Sequence, residues 1–333
     1  MIEMASGLSA LVFDADGAAH PIAEPEIIAV WQKAGNNGGP GEAAFLWVHL
    51  HAPDEAAREA LSHWAGLGRS RPAALVAAET RPRCDSYPKG LLLNLRGVNV
   101  TPGAEPDDLV SVRLWIEAHR ILSVSYREMH ALDDLRTAVA RGRVIANTGE
   151  FVAELALRIA NAMEPVIEEL SEQIDDLEDE VATDAFASLR RRLSEARRQA
   201  TGLHRFIAPQ RMALDRLAIE AQTLFAAPDR NRLREAADHV TRFSEELSMI
   251  HDRASILQEE ITDKRAEVLN QRMLVLSVAA AVFLPLNLIV GALGMNVGGI
   301  PGAGSAGAFW GVSIVLAAIA VGGIFLARWK RWL

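Results

Sequence analysis

The chain has 333 residues, with 34 Lys and Arg against 43 Asp and Glu and a formal net charge of −9. An acidic balance argues against nucleic-acid binding, which wants a basic face, and suits a cationic partner. The single cysteine, Cys84, leaves no intrachain disulfide and no thiolate metal cluster. The start, Met1-Ile2-Glu3-Met4, is acidic and lacks an apolar stretch, so no signal peptide is expected and the soluble part should stay on the side of synthesis.

The first part of the chain reads as mixed α/β. Apolar or alternating runs of strand length occur at Leu8 to Phe13, Phe45 to His51, Leu91 to Val98, Leu109 to Ile116 and Ile121 to Tyr126. Helical patterns lie between them, at Glu24 to Lys33, Asp54 to Trp64 and Leu132 to Arg141. Asn36 to Gly41 is a loop. No phosphate-binding glycine pattern, HExxH motif or nucleophile–base pair is visible, so an enzyme is disfavoured. From Thr148 the character changes, because Gly and Pro become rare. One helix is expected from Thr148 to about Ala182, with acids at Glu168, Glu169, Glu172, Asp175 and Asp176. A second should run from Asp184 to about Thr223. Pro228 with Asp229 marks a new start. No Pro follows until Pro285 and no Gly until Gly291, which predicts one helix from about Asp229 to Leu293, ~97 Å long at ~1.5 Å per residue.

Two uncharged apolar runs close the chain, Met273 to Leu293 and Ala308 to Ala327. Each is about 20 residues, or ~30 Å as helix, the thickness of a bilayer core. Lys264, Arg265 and Arg272 precede the first run, and Arg328, Lys330 and Arg331 follow the second. By the positive-inside rule both ends are cytoplasmic and the uncharged link Gly294 to Gly307 is outside. Trp310, Trp329 and Trp332 sit near the span ends, as interfacial aromatics do. The fold class is thus an α+β cytoplasmic domain, then long helices, then a two-helix C-terminal transmembrane hairpin. The divisions are 1–147 for the α/β domain, 148–227 for a helical hairpin and 228–272 for a stalk helix. Then come 273–293 for the first span, 294–307 for the outer loop, 308–327 for the second span and 328–333 for a basic tail.

The long helix carries two stripes with alternating three-four spacing. Val240, Phe243, Leu247, Ile250, Ala254, Leu257 and Ile261 form a packing face. The opposite face carries Glu245, Met249, Asp252, Ile256, Glu259, Asp263, Ala266 and Asn270, then Met273, Ser277, Ala280, Leu284, Asn287 and Gly291 within the span. Asn287 is a primary amide deep in an apolar span. Facing lipid it is costly, so it should meet a protein interior or water. If several copies ring an axis with this face inward, Glu245, Asp252, Glu259 and Asp263 make anionic rings, and Asn270, Ser277 and Asn287 supply oxygens along a cation path. The competing readings are a solvated face for the acids and a helix–helix hydrogen bond for Asn287. Pro285 removes one helix donor, so a kink is expected there.

Gly294-Met295-Asn296 stands at the outer end of the first span. In that place, after a long helix and an α/β start, it resembles the signature of the CorA superfamily of divalent-cation transporters. The continuation Val297-Gly298-Gly299-Ile300-Pro301-Gly302, the run Phe206-Ile207-Ala208-Pro209-Gln210-Arg211 and the end Trp329-Lys330-Arg331-Trp332-Leu333 are similar to the ZntB branch. The resemblance covers essentially the whole chain. It implies a funnel-shaped homopentamer in a bacterial inner membrane, a pore lined by the first span, and an outer mouth built by Gly294, Met295 and Asn296. Asn296 would bind the incoming ion with its water shell. Magnesium-type members carry an acid in the outer loop, and this chain has none, which weakens a Mg²⁺ assignment and favours the zinc branch; a Mg²⁺, Co²⁺ or Ni²⁺ channel on the same scaffold is the alternative. No cofactor is implied beyond the metal as cargo. A membrane-anchored sensor without transport is the reading from another class, and Asn287 speaks against it.

His49 and His51 lie two apart on a strand, hence on one face, with no third metal ligand evident. His251 adjoins Asp252 on the long helix. Cys84 reads as an incidental thiol.

Overall fold

A computed structural model describes residues 7–36, 43–51, 61, 74–77, 81–99, 101, 103–105, 107–181, 186–295, 298, 300, 302, 304–305 and 307–330. The chain divides into two compact units, Met1–Ile256 and Leu257–Leu333. Most of the helix expected at Asp54 to Trp64 lies outside the described residues, as do Asn296, Arg331 and Trp332.

In the first unit seven strands form one sheet: β1 (Leu8–Asp14), β2 (Ala19–Pro21), β3 (Ala43–His51), β4 (Arg83–Tyr87), β5 (Gly90–Gly97), β6 (Val110–Ile116) and β7 (Arg120–Ser125). Their order is β2-β1-β3-β7-β6-β5-β4. The pair β3 and β7 is parallel, and the other described pairs are antiparallel. The five strands expected from apolar runs are all present. The two that were not expected, β2 and β4, are short and polar and lie at the two sheet edges, where such strands blunt pairing with another chain.

Both faces of β3 are covered, and its alternation divides the work. Leu46, Val48 and Leu50 join Ile27 and Trp31 of helix α1 (Glu24–Asn36) in one core. Phe45 and Trp47 turn the other way. Phe45 stacks on Phe13 with ring centroids 4.2 Å apart, and Trp47 meets Phe151 at 4.8 Å. Phe151 belongs to α3 (Thr148–Asn161), which follows α2 (His130–Ala140). Asn147 caps α3 by accepting from the Glu150 N–H, while the Glu150 carboxylate accepts from the Ala146 N–H at 2.9 Å.

The single helix expected from Thr148 to Ala182 is in fact two. After α3 the chain breaks at Ala162 and Met163 and resumes as α4 (Glu164–Glu180). Pro165, at the start of α4, has no N–H to give to the Asn161 carbonyl and its ring crowds that oxygen, which favours a break there, whereas Pro209 and Pro285 are tolerated inside their helices. Next come α5 (Phe186–Glu220), with Pro209 inside it, and α6 (Ala227–Leu293), which runs unbroken through Pro285 over 67 residues. Helix α7 (Ala308–Trp329) closes the described chain.

The first turn of α6 holds a strained cluster. Asp229 is only 4 % exposed, and its Oδ2 has no hydrogen-bond partner among the described residues. It sits so close to α3 that a Cβ on Gly149 would stand 2.8 Å from Oδ2. Burial, then the neighbouring Glu150, raise the Asp229 carboxyl above its ordinary range, against Asn147, Ala226 and Arg232. Burial also works to raise Glu150. There the Ala146 N–H and the guanidinium groups of Arg232 and Arg143 outweigh it and hold the carboxyl low. A carboxyl raised by folding contributes stability that is full below its unfolded value and lost as pH rises through the folded value. Asp229→Asn removes that loss and keeps an acceptor. Its melting temperature should exceed that of the unaltered chain at neutral pH, and the difference should close on acidification. Equal melting curves at all pH would mean that Asp229 is not held ionised at a cost.

Candidate functional site

Helix α6 is amphipathic in the sense read from the sequence. Val240, Phe243, Leu247, Ile250, Ala254, Leu257 and Ile261 are all buried, none more than 5 % exposed. On the opposite side Glu245, Asp252, Glu259 and Asp263 are exposed, and none has an ion pair among the described residues. Three cations of the same helix are committed to other acids. Arg253 pairs with Asp175 and with Glu178 at 2.8 Å, Arg242 pairs with Glu164 at 2.8 Å, and Lys264 pairs with Glu260 at 3.2 Å. The exposed face thus keeps uncompensated negative charge. Two large apolar side chains share it, Met249 at 59 % and Ile256 at 66 % exposure.

The unit Leu257–Leu333 holds two helices long and apolar enough to cross a membrane. They approach where Gly323 of α7 faces Val282 of α6, so closely that a Cβ on Gly323 would stand 2.8 Å from a Val282 methyl. Small residues at such a point let two apolar helices pack where no hydrophobic drive exists between them. Val278 is buried, and Ala279, Val282, Leu286 and Ile289 are half-buried, which marks one side of α6. Asn270, Met273, Ser277, Ala280, Leu284, Asn287 and Gly291 are all exposed. Other span residues, such as Phe283, Leu288 and Val290, are exposed as well. Asn287 makes no side-chain hydrogen bond to another described residue, so α7 does not take up its amide. Ser277 donates back to the Met273 carbonyl at 2.8 Å, which leaves its oxygen lone pairs outward.

At the end of α6 the Gly294 N–H closes on the Val290 carbonyl at 2.9 Å, and Met295 follows, 55 % exposed. Asn296 lies outside the described residues. Gly323 was not singled out from the sequence. The signal was there, in Gly322-Gly323 inside an otherwise bulky span, but which of the two meets α6 depends on helix phase.

The remaining candidates are dispersed. His251 and Asp252 line a cavity of about 310 Å³ with His204 and Ser248. His49 and His51 line another, and burial, then His51, push the His49 imidazole down to about 3. Burial pushes the Cys84 thiol up to about 12, so it is a buried inert group. Among the described residues no three His, Cys, Asp or Glu side chains form a group ready to hold a metal.

Known proteins carry the same arrangement. The family described as CorA-like Mg²⁺ transporter protein matches residues 42–328. The divalent cation transporter CmaX of Pseudomonas aeruginosa is 35 % identical over 295 residues, covering 86 % of this chain and 87 % of its own. The zinc transport protein ZntB of Pectobacterium atrosepticum is 29 % identical over 332 residues, covering 100 % of this chain and 98 % of its own. The structure of full-length CmaX superposes with a TM-score of 0.79 at 32 % identity over 98 % of both chains. The α/β unit, the long helix and the two apolar helices are therefore those of the CorA family of divalent-cation transporters, and this chain belongs to that family.

Proposed function

We propose that the chain transports a divalent transition metal, Zn²⁺ foremost, as a homopentamer in a bacterial inner membrane with both ends cytoplasmic. The observation that carries this reading is the division of α6. Its packing stripe is buried within the single chain, while the opposite face leaves acids, amides and two bulky apolar groups exposed and unpartnered. Five copies placing that face toward an axis give rings of Glu245, Asp252, Glu259 and Asp263 below the membrane, and of Ser277 and Asn287 within it. Carboxylate rings concentrate cations, and neutral oxygens pass them without holding them. No carboxylate lies inside either span, so nothing there would trap a dication.

At the outer mouth, Gly294 and Met295 lead to Asn296, whose amide oxygen would accept hydrogen bonds from the water shell of an arriving ion. Five such amides recognise a hydrated dication without stripping it. The uncharged loop Gly294 to Gly307 and the similarity to ZntB support zinc over magnesium as cargo.

The direct test is ⁶⁵Zn flux into liposomes holding the purified chain. Asn296→Ala should reduce flux by roughly tenfold or more while the oligomer is retained, since the amide meets ion rather than subunit. Normal zinc flux in that variant would overturn the assignment.

Helix phase is checked by cysteine substitution. Cysteines at Ser277, Ala280, Leu284 and Asn287 should react with small aqueous thiol reagents, or crosslink between copies. Those at Val278, Val282 and Ile289, which face α7 or its flank, should resist. Equal labelling of both sets would place the water path on another side.

Neutralising Glu245, Asp252, Glu259 and Asp263 together to Gln or Asn should lower zinc flux several-fold at low salt and far less at high salt. The attraction these rings exert decays over a Debye length of ~8 Å at physiological ionic strength. Flux independent of the four acids at low salt would make them a solvated face only.

A further inference from the structure

The first unit carries a second feature with the chemistry of a metal site, away from the exposed face of α6. His49 and His51 stand on the same face of β3. The parallel pairing with β7 registers His49 with Ser123 and His51 with Ser125. Each imidazole meets the hydroxyl of its register partner through Nδ1, at 2.8 Å for His49 and 3.3 Å for His51. Ser123 Oγ also accepts from Trp47 Nε1–H at 2.8 Å and can donate to the Val48 carbonyl at 3.4 Å. With those two bonds in place the oxygen has a lone pair left for a proton on His49 Nδ1. That tautomer, assigned from the hydrogen bonds, leaves the Nε2 lone pair as an acceptor, with Ser125 Oγ within long reach of it. An imidazole oriented through one nitrogen by an outer-shell partner is how proteins present the other nitrogen to a metal.

The rings are close enough to share an ion. Their centroids are 6.3 Å apart. Two imidazoles on one tetrahedral ion, with metal–nitrogen distances of ~2.0–2.1 Å, have centroids about 5 Å apart, so a movement of about 1 Å suffices. Ser125 Oγ lies 3.5 Å from His49 Nε2, a contact long enough to yield to an ion. The two histidines open on a cavity of about 280 Å³ that Ser9, Glu128, Asp133 and Arg136 also line. It lies at the carboxyl ends of the two parallel strands, where crevices in such sheets take ligands. Asp133 is paired with Arg136 at 3.3 Å in an exposed ion pair, which is weakly held and can release its carboxylate. Arg136 on the same wall is the opposing charge, near enough to lower the His49 imidazole, and it must swing aside as Asp133 is released. The two imidazoles are the preformed part, and Asp133, Glu128 or water completes the shell.

We propose that His49 and His51 chelate one transition-metal ion of the Zn²⁺, Co²⁺ or Ni²⁺ class in the N-terminal unit, with Mg²⁺ excluded. Imidazole suits the borderline ions, whereas Mg²⁺ demands oxygen. The proposal does not rest on zinc being the cargo, because a chain moving any dication can carry such a site. It is tested on the full-length, metal-free protein in detergent by Co²⁺ titration, reading bound cobalt and the visible d–d bands of four-coordinate Co²⁺. The unaltered chain should bind one more equivalent per chain than His51→Ala, and the bands of that equivalent should vanish in the variant. Zn²⁺ should displace it, and a large excess of Mg²⁺ should not. If His51→Ala fails to fold, His51→Gln, which keeps a polar group toward Ser125, replaces it. Equal stoichiometry and spectra with and without the His51 imidazole overturn the proposal, as does displacement by Mg²⁺ at concentrations similar to the cobalt.

Discussion

The rotation of α6 about its own axis is the constraint on which the rest of the molecule depends. Seven apolar side chains from Val240 to Ile261 recur at three-four spacing, and their burial fixes which way the helix faces. The helix has no break between Ala227 and Leu293. Fixing one stripe therefore fixes the azimuth of every other residue on it. The acids cannot turn into the core without bringing the apolar stripe out. Exposure of Glu245, Asp252, Glu259 and Asp263 is a consequence of packing, and their chemistry follows from where packing leaves them. In the span Gly323 and Val282 set the helix a second time, by close contact between small and branched residues.

How much of this was legible in the sequence depends on the range of the interaction involved. The central strands were visible because burial on both faces makes them short, mostly apolar runs, as in Leu91 to Leu95, broken only by Asn94, or Ile121 to Val124, broken only by Ser123. Edge strands such as Arg83 to Tyr87 have no such run, because one side of them is not enclosed. The packing stripe of α6 was legible because a helix writes its period into nearest neighbours. The break at Ala162 and Met163 has only Pro165 as its local signal, and that signal does not decide alone, since Pro209 and Pro285 stand inside continuous helices. Asp229 was legible as part of a helix start beside Pro228, but its burial was not. Gly149 of α3, far earlier in the chain, lies against it, and only the fold brings Glu150 beside it.

The histidine pair shows the same limit more sharply. His49-Leu50-His51 is visible on any reading as two imidazoles on one strand face. What makes the pair a candidate ligand set is Ser123-Val124-Ser125, more than seventy residues later. Those hydroxyls matter only because β3 and β7 pair in parallel with that register. A shift of one residue would turn both serines to the other face and leave the imidazoles without orientation. Parallel pairing needs a long crossover, so its register has no local signature. First ligands can be read from sequence spacing, whereas the groups that orient them come from topology.

Geometry also bears on how α6 can serve one path from end to end. The exposed series from Glu245 to Gly291 keeps a strict seven-residue period, whereas a straight α-helix drifts ~20° per heptad against that period. Over the buried stripe from Val240 to Ile261, three heptads, the drift is about 60°, which one face tolerates. Over the longer series it exceeds about 120°, and a straight helix would turn Asn287 well away from the line of Glu245. Only a left-handed supercoil keeps both on one line, and helices supercoil when they wind around neighbours. A lone anchoring helix has no reason to hold a heptad register across the membrane boundary. A shared line from the acids into the span is therefore a requirement of the pentamer proposed above, which only helices winding about one another would meet.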